Sequence, residues 1–242
     1  MKLSHPFSAF ATLLLTFTVA GGLRAAENPP KHLADARSLV SRLSLENTDY
    51  VHGASAVVWT APVASHTDCS GFLDALFQHS YGFDEKANKR WLGSTRPSAA
   101  LYHDGIEAGN GFTRVLHVNH IVPGDILGVK YLDGKSRTGH IMVVNSAPKR
   151  LPDQAPLVAG TQQWEIAVID SAESGHGSTD TRYKKGADGK DHKGLGTGLL
   201  RLYAHADGTV AGFSWSPSKA SKFMSPTEEH LSIGRLKAGF QP

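Results

Sequence analysis

The sequence of 242 residues predicts an α+β fold in which N-terminal helices pack on an antiparallel β-sheet. Two observations carry this prediction. Apolar residues recur at helical spacing on the N-terminal side of Gly82, whereas short apolar runs bounded by turn residues follow Gly124. Helices that come first and strands that come afterwards are typical of an α+β layout, because parallel sheets are built from alternating βαβ units.

The first 26 residues predict an export signal. An apolar run extends from Phe7 to Leu23, and the small residues Ala25 and Ala26 offer a cleavage point. The run is shorter than the roughly 20 apolar residues that span a bilayer, so we expect cleavage rather than a retained anchor. The hypothesis is a periplasmic or extracellular protein without stable membrane insertion, with one domain over residues 27–242.

The charge balance bears on possible partners. The formal net charge is +3 at pH 7, and two of the positive charges, Lys2 and Arg24, lie in the predicted signal. Nucleic-acid-binding domains usually carry a strongly basic face. We therefore expect no nucleic-acid partner.

Two helices are predicted in the first third of the chain. The first is amphipathic, and its apolar positions are Leu33, Ala36, Leu39, Val40 and Leu43. After a turn-rich stretch, a buried helix begins at or beside Cys69, with Thr67 or Asp68 as its N-cap and Gly82 at its end.

Five strands are predicted in the second half from runs of β-branched, aliphatic and aromatic residues. They are Asp125–Tyr131, Gly139–Asn145, Trp164–Asp170, Gly198–Ala204 and Thr209–Trp215. The Pro-rich segment 147–160 predicts a loop, and segment 174–196, which has almost no apolar residue, predicts a mobile surface loop. The glycines from Gly194 to Gly198 lead into a strand rather than a helix, which argues against a phosphate-binding loop.

Cys69 is the only cysteine of the chain, and its position favours a nucleophile. A helix N-terminus stabilises a thiolate through its dipole and free backbone amides. The following Ser70 and Gly71 are small, so a substrate can approach the backbone closely, and an amide there can hold a developing oxyanion. The alternative is a small buried apolar residue.

His140 is the candidate base. It follows Gly139 at the start of an apolar strand, where an imidazole can project into a cleft. Asp170 ends the next predicted strand on the same face as Ile166 and Val168, where a carboxylate can orient that imidazole. A turn residue is the alternative for Asp170, and His176 is a second candidate for the third role.

Several motifs in order resemble the NlpC-type cell-wall peptidase family of papain-like cysteine hydrolases. They are Tyr50-Val51-His52-Gly53, Asp68-Cys69-Ser70-Gly71, Pro123-Gly124-Asp125-Ile126 and Gly139-His140-Ile141. The family's third polar residue lies on the strand after the His, which corresponds to Asp170. The resemblance extends from Tyr50 to Asp170, about half of the chain.

The resemblance implies a papain-like fold and a peptidoglycan substrate. By it, Cys69 is the nucleophile, His140 the base and Asp170 the orienting residue, while Tyr50 supplies a hydroxyl near the acyl group and Ser70 belongs to the substrate-binding residues. It implies no metal and no cofactor. Family members typically cut stem peptides, often at the bond between D-glutamate and diaminopimelate.

Other readings of the sequence stay open. The same dyad serves an acyl hydrolase or transferase that acts on a lipid or small amide, and a catalytically idle wall-binding module is a different class. The spacing His117-x-x-His120 is compatible with metal binding, but no third ligand is evident. His66 either tunes the thiol or lies on a loop.

Overall fold

The computed structural model describes Met1 and residues 28–134, 138–183, 189 and 191–242. The predicted export signal, apart from Met1, lies outside the described residues, as does part of the predicted loop 174–196. No helix within the described ranges is both long and apolar enough to cross a membrane.

Four α-helices lie in the N-terminal half of the described chain. They are α1 (Lys31–Arg42), α2 (Cys69–Tyr81), α3 (Glu85–Leu92) and α4 (Ala99–Glu107). The side chains of Asp68, Asp84 and Ser98 cap α2, α3 and α4 by accepting the backbone N–H three residues later. Gly82 and Gly93 end α2 and α3 in the left-handed conformation that glycine adopts without strain. The predictions of α1 and α2 are confirmed.

A small sheet precedes α2. Its strands are β1 (Thr48–Tyr50), β2 (Ser55–Val58) and β3 (Ala64–Thr67). Strand β3 is central, parallel to β1 and antiparallel to β2. The predicted turns are present between these strands, but the strands themselves were not predicted, because they are too short to show a period of two clearly. His66 lies on β3 with its side chain exposed, rather than on a loop.

The second sheet is large and antiparallel. Its strands are β4 (Phe112–Arg114), β5 (Ile126–Tyr131), β6 (Gly139–Val144), β7 (Lys149–Arg150), β8 (Thr161–Ala172), β9 (Gly194–His205), β10 (Val210–Ser214) and β11 (Glu229–Leu236). Within the described residues the order is β10-β9-β8-β6-β5-β11-β4, and β7 pairs with β8. The five predicted strands and the α+β class are confirmed. Asp170 does not end its strand, because β8 continues to Ala172.

Side chains from the two faces of the large sheet enter two apolar cores. Ile141 and Val143 of β6 pack with the helices, including Phe72 and Leu76 of α2. Met142 and Val144 point to the other face, into a second core. This alternation is the ordinary period of two in a β-strand. His140 alternates with Ile141 and therefore lies on the same face of β6 as Met142.

Candidate active site

Cys69 is the first residue of α2, as predicted, and it lies at a cavity of about 630 Å³. The residue is only 6 % exposed. The N-cap Asp68 accepts a hydrogen bond from the Gly71 amide at 2.7 Å. The amides of Cys69 and Ser70 have no intrahelical carbonyl to bind, since they belong to the first helical turn. The thiol therefore lies beside backbone donors at the positive end of a helix.

Asp68 also joins α2 to the chain around it. Its Oδ2 accepts hydrogen bonds from Arg96 Nη2 at 2.7 Å and from the Gly53 amide at 3.1 Å. Burial alone would raise the pKa of Asp68, but the hydrogen bonds from Arg96, Gly71 and Gly53 lower it below its ordinary value. The carboxylate therefore stays ionised and fixes the start of the helix.

A glycine is required at the turn after the cysteine. A Cβ atom on Gly71 would lie 2.3 Å from the carbonyl oxygen of Ala54 and 2.8 Å from the side chain of Arg96. The close approach of the small sheet to α2 therefore depends on glycine at this position of the Asp-Cys-Ser-Gly motif.

His140 is the second residue of β6 and lies at the same cavity as Cys69, near enough for the thiolate charge to raise the pKa of the imidazole. Its Nε2 lies 2.5 Å from Oδ2 of Asp170. Since Asp170 occupies Nε2, Nδ1 is the ring nitrogen left to exchange a proton with the thiol. The structure thus brings together the three residues that the sequence singled out, as a chain from sulfur to imidazole to carboxylate.

The charges of these three side chains stabilise one another. Burial alone lowers the pKa of His140, but the Cys69 thiolate, the hydrogen bonds to Asp170 and Cys69, and the charge of Asp170 together raise it to about 10. Burial alone would raise the pKa of Asp170, yet Arg182, His176 and the imidazole hydrogen bonds hold it well below its ordinary value. A protonated His140 beside the ionised Asp170 is therefore favoured at neutral pH.

Tyr50 and Ser70 also lie at the cavity, as the sequence predicted. Burial, followed by the negative charges of Cys69 and Asp68, raises the pKa of Tyr50 above the ordinary value. It therefore keeps its O–H as a donor. The Ser70 hydroxyl instead donates to Asp68 Oδ1 at 3.2 Å, so it supports the helix cap.

Asp170 is held by more groups than the sequence indicated. His176 Nε2 lies 2.9 Å from the same oxygen that His140 contacts, and Arg182 Nη2 donates to Oδ1 at 2.9 Å. Arg182 is fully buried and also donates to both carboxylate oxygens of Asp180. The two imidazoles therefore share Oδ2 of Asp170, and their ring centroids are 6.2 Å apart. The geometry gives Asp170, not His176, the contact with His140.

The segment that carries these residues differs from the predicted mobile surface loop. His176, Asp180 and Arg182 are each buried, so residues 176–182 are anchored by ion pairs rather than by apolar side chains. Hydrophobic periodicity gives no signal for buried charge pairs. A segment without apolar residues is therefore predicted to be mobile even when ion pairs bury it.

Alternate glycines on β9 make room for this segment. A Cβ atom on Gly196 would lie 2.9 Å from Arg182 Nε, and one on Gly198 would lie 2.4 Å from Asp180 Oδ2. Gly196 pairs directly with Asp170 across the β8–β9 ladder. Glycine at every second position of a predicted strand was therefore the signal in the sequence for a segment packed against its backbone.

Trp215 and Arg96 are further residues at the cavity that the sequence analysis did not identify. The Trp215 indole stacks on His176 with the ring centroids 5.9 Å apart and meets His140 edge to face at 5.6 Å. Its carbonyl oxygen lies 3.1 Å from His176 Nδ1. Both nitrogens of His176 thus face oxygen acceptors, so its ring is fixed in place beside Asp170.

The group His140, Asp170 and His176 also has the spacing of a metal site, with ligand atoms within 4.8 Å of one another. The guanidinium of Arg182 already neutralises Asp170 from the other side. A cation placed between the two imidazoles would face that positive charge across one carboxylate. The donor set therefore fits a proton network better than a metal ion.

Comparison with known proteins identifies a relative in a virus. The chain is 37 % identical over 223 residues to an uncharacterized protein of Acanthamoeba polyphaga mimivirus, across 86 % of this chain and 96 % of the viral protein. No protein-family model matches the sequence, and no solved structure matches it significantly.

Proposed function

We propose that this chain, which belongs to one family with the uncharacterized mimivirus protein, is a cysteine hydrolase that cleaves amide bonds through an acyl-enzyme intermediate. One observation carries the proposal: Cys69 opens a buried helix at the same cavity as His140, and a ring nitrogen of His140 lies 2.5 Å from Asp170. A thiol, an imidazole and an orienting carboxylate in this order are the parts of a nucleophilic triad.

Each residue has a role in the proposed reaction. The Cys69 thiolate attacks the carbonyl carbon of the amide, and the helix amides and Tyr50 hydroxyl donate to the oxyanion. His140 gives its proton to the leaving amine as the C–N bond breaks. Water then attacks the thioester while His140 takes its proton, which releases the carboxylic acid and restores the thiolate. Asp170 keeps the imidazole ring oriented in both steps.

The proposed substrate class is a peptide of the bacterial cell wall. The support is the NlpC-like series of motifs from Tyr50 to Asp170, which also motivates a papain-like fold as the finer description of the α+β architecture. The cavity fits a polar substrate, because charged side chains, among them Arg96 and Glu173, lie along it. Such a substrate lies outside the cytoplasmic membrane, in agreement with the export signal predicted over residues 1–26.

The test is digestion of purified peptidoglycan by the wild type and by Cys69→Ala, followed by mass spectrometry of the soluble products. We expect new stem-peptide fragments with the wild type alone. A panel of small amides and fatty-acyl esters is assayed in parallel. It shows whether the protein hydrolyses acyl compounds even if peptidoglycan is not its substrate. Activity on that panel without wall fragments would support the acyl hydrolase or transferase instead, and inactivity on both would support a binding module.

A further inference from the structure

A second group of metal-binding residue types lies outside the candidate active site, between α4 and β11. It consists of His103, Glu107 and His230, and the ligand atoms of the three side chains lie within 4.8 Å of one another. His103 and Glu107 are four residues apart on α4, so they share one face of the helix. His230 is on β11, which α4 crosses.

Two glycines bring the helix onto these strands. A Cβ atom on Gly128 of β5 would lie 3.2 Å from the Cα atom of His103, and one on Gly234 of β11 would lie 2.7 Å from Ile106. Since residues two apart on a strand share a face, His230 and Ser232 face α4 together with Gly234. His103 is only 4 % exposed as a result.

A ring nitrogen of His103 faces a ring nitrogen of His230. His103 Nε2 lies 2.7 Å from His230 Nδ1, so one of the two nitrogens carries the hydrogen between them. Ligation of Zn²⁺ at about 2.0–2.1 Å per nitrogen needs an N···N separation of about 3.3 Å at the tetrahedral angle. The two nitrogens therefore reach metal-binding geometry if the rings move about 0.6 Å further apart and the shared hydrogen moves to Nε2 of His230.

The surroundings of His103 are those of a metal ligand. Its other nitrogen, Nδ1, lies 2.9 Å from Asp104 Oδ1, and Lys130 Nζ donates to both oxygens of that carboxylate. A ligating histidine commonly donates its second N–H to a carboxylate, which directs the lone pair of the first nitrogen at the metal.

Two buried oxygens beside the imidazoles have no hydrogen-bond partner among the described residues. Glu107 Oε1 is one of them, because Arg114 pairs only with Oε2, and Ser232 Oγ is the other. A buried carboxylate oxygen without a partner is unfavourable unless a missing group binds it. A cation beside the two imidazoles supplies that partner for Glu107.

We propose that His103 Nε2, His230 Nδ1 and the Glu107 carboxylate bind a divalent transition-metal ion, with Zn²⁺ as the best match to two imidazoles and one carboxylate. The ion joins α4 to β11. It is independent of the proposed hydrolase chemistry, because none of its three ligands lies at the cavity of Cys69.

The test is calorimetric titration of the full chain with Zn²⁺, in the Cys69→Ala background because a free thiolate also binds zinc. We expect one Zn²⁺ per chain. His230→Ala removes binding, Glu107→Gln weakens it at least tenfold, and Asp104→Asn weakens it about 10–100-fold. His117→Ala is the matched control, because His117 and His120 also lie close together, with ring centroids 5.4 Å apart, and it leaves binding unchanged.

A Co²⁺ absorption spectrum and thermal unfolding give independent readouts. Zn²⁺ should raise the Tm of the Cys69→Ala protein but not that of its His230→Ala variant, since a ligand stabilises only the state that binds it. Circular dichroism without metal shows whether each variant is folded. If His230→Ala does not fold, Zn²⁺ binding by Glu107→Gln tests the proposal instead. The proposal is overturned by no Zn²⁺ binding, by unchanged binding in His230→Ala or Glu107→Gln, or by loss of binding in His117→Ala or His176→Ala alone.

Discussion

Arg182 Nη2 donates to Asp170 Oδ1 at 2.9 Å, and neither side chain has any exposed surface. The same guanidinium binds Asp180, which is also fully covered at its side chain. One cation therefore compensates two buried carboxylates, and one of them is the carboxylate that contacts His140. This arrangement connects the stability of the fold to the geometry of the candidate active site.

Replacement of Arg182 should be strongly destabilising. Arg182→Met leaves Asp170 and Asp180 buried without their cation, and we expect a loss of about 3–5 kcal/mol in the free energy of unfolding. The matched control is Arg150→Met, which breaks the exposed pair with Asp153 and should change that free energy by at most about 1 kcal/mol. Urea denaturation measures both values. Equal losses in the two variants would contradict a structural role for the buried pair.

The contact between Cys69 and His140 predicts a pH-dependent reactivity of the thiol. In the folded wild type, iodoacetamide should label Cys69 rapidly near pH 6, because a protonated imidazole stabilises the thiolate beside it. In His140→Ala the labelling profile should move to higher pH. Rates are measured between about pH 4 and 9 by intact-protein mass spectrometry. Labelling that occurs only after denaturation would make Cys69 a core residue and would remove the basis of the hydrolase proposal.

The three polar residues should contribute unequally to turnover. His140→Ala should abolish activity, whereas Asp170→Asn should lower it less, because the amide keeps part of the hydrogen bonding that orients the ring. His176→Ala should retain more activity than His140→Ala, because in the proposed reaction His176 transfers no proton and acts only through Oδ2 of Asp170. Circular dichroism of each variant is needed because His140 is itself buried. Wild-type activity in Asp170→Asn together with an inactive His176→Ala would give the third role to His176.

The raised pKa of His140 predicts the alkaline limit of activity and a contribution to stability. The folded pKa of about 10 exceeds the ordinary 6.5, so the stabilisation is complete below about pH 6.5 and is lost as the pH rises through about 10. We therefore expect kcat/KM to fall near pH 10. The Asp170→Asn variant should lose activity at lower pH, because it lacks one of the charges that raise the pKa. An alkaline limit that does not move in this variant would show that His140 does not set it.

The sequence predicted the parts of the site that depend on local chemistry. Cys69 begins a helix because Asp68 is a good N-cap and small residues follow, and His140 begins a strand after a glycine. The pairing of His140 with Asp170 followed from strand periodicity, because both lie on one face of the large sheet. These features are short-range, so one sequence is enough to predict them.

The remainder depends on contacts between distant segments. Strand β11 pairs with β5 across about a hundred residues, and only tertiary contacts show that it lies next to α4. Buried Arg182 has no periodic signature, because its partners are charged groups and carbonyl oxygens rather than an apolar face. Helices α3 and α4 had caps at Asp84 and Ser98 in the sequence, but their short amphipathic patterns were not recognised.

The long ladder between β8 and β9 has a consequence for amide hydrogen exchange. Twelve residue pairs run without a register shift from Thr161 and His205 to Ala172 and Gly194, whereas most of β2 in the small sheet is exposed. Amides of β8 should therefore exchange only on global unfolding, while those of β2 exchange through local opening. Exchange measured by mass spectrometry would show two protection classes, a slow one along the β8–β9 ladder and a fast one in β2.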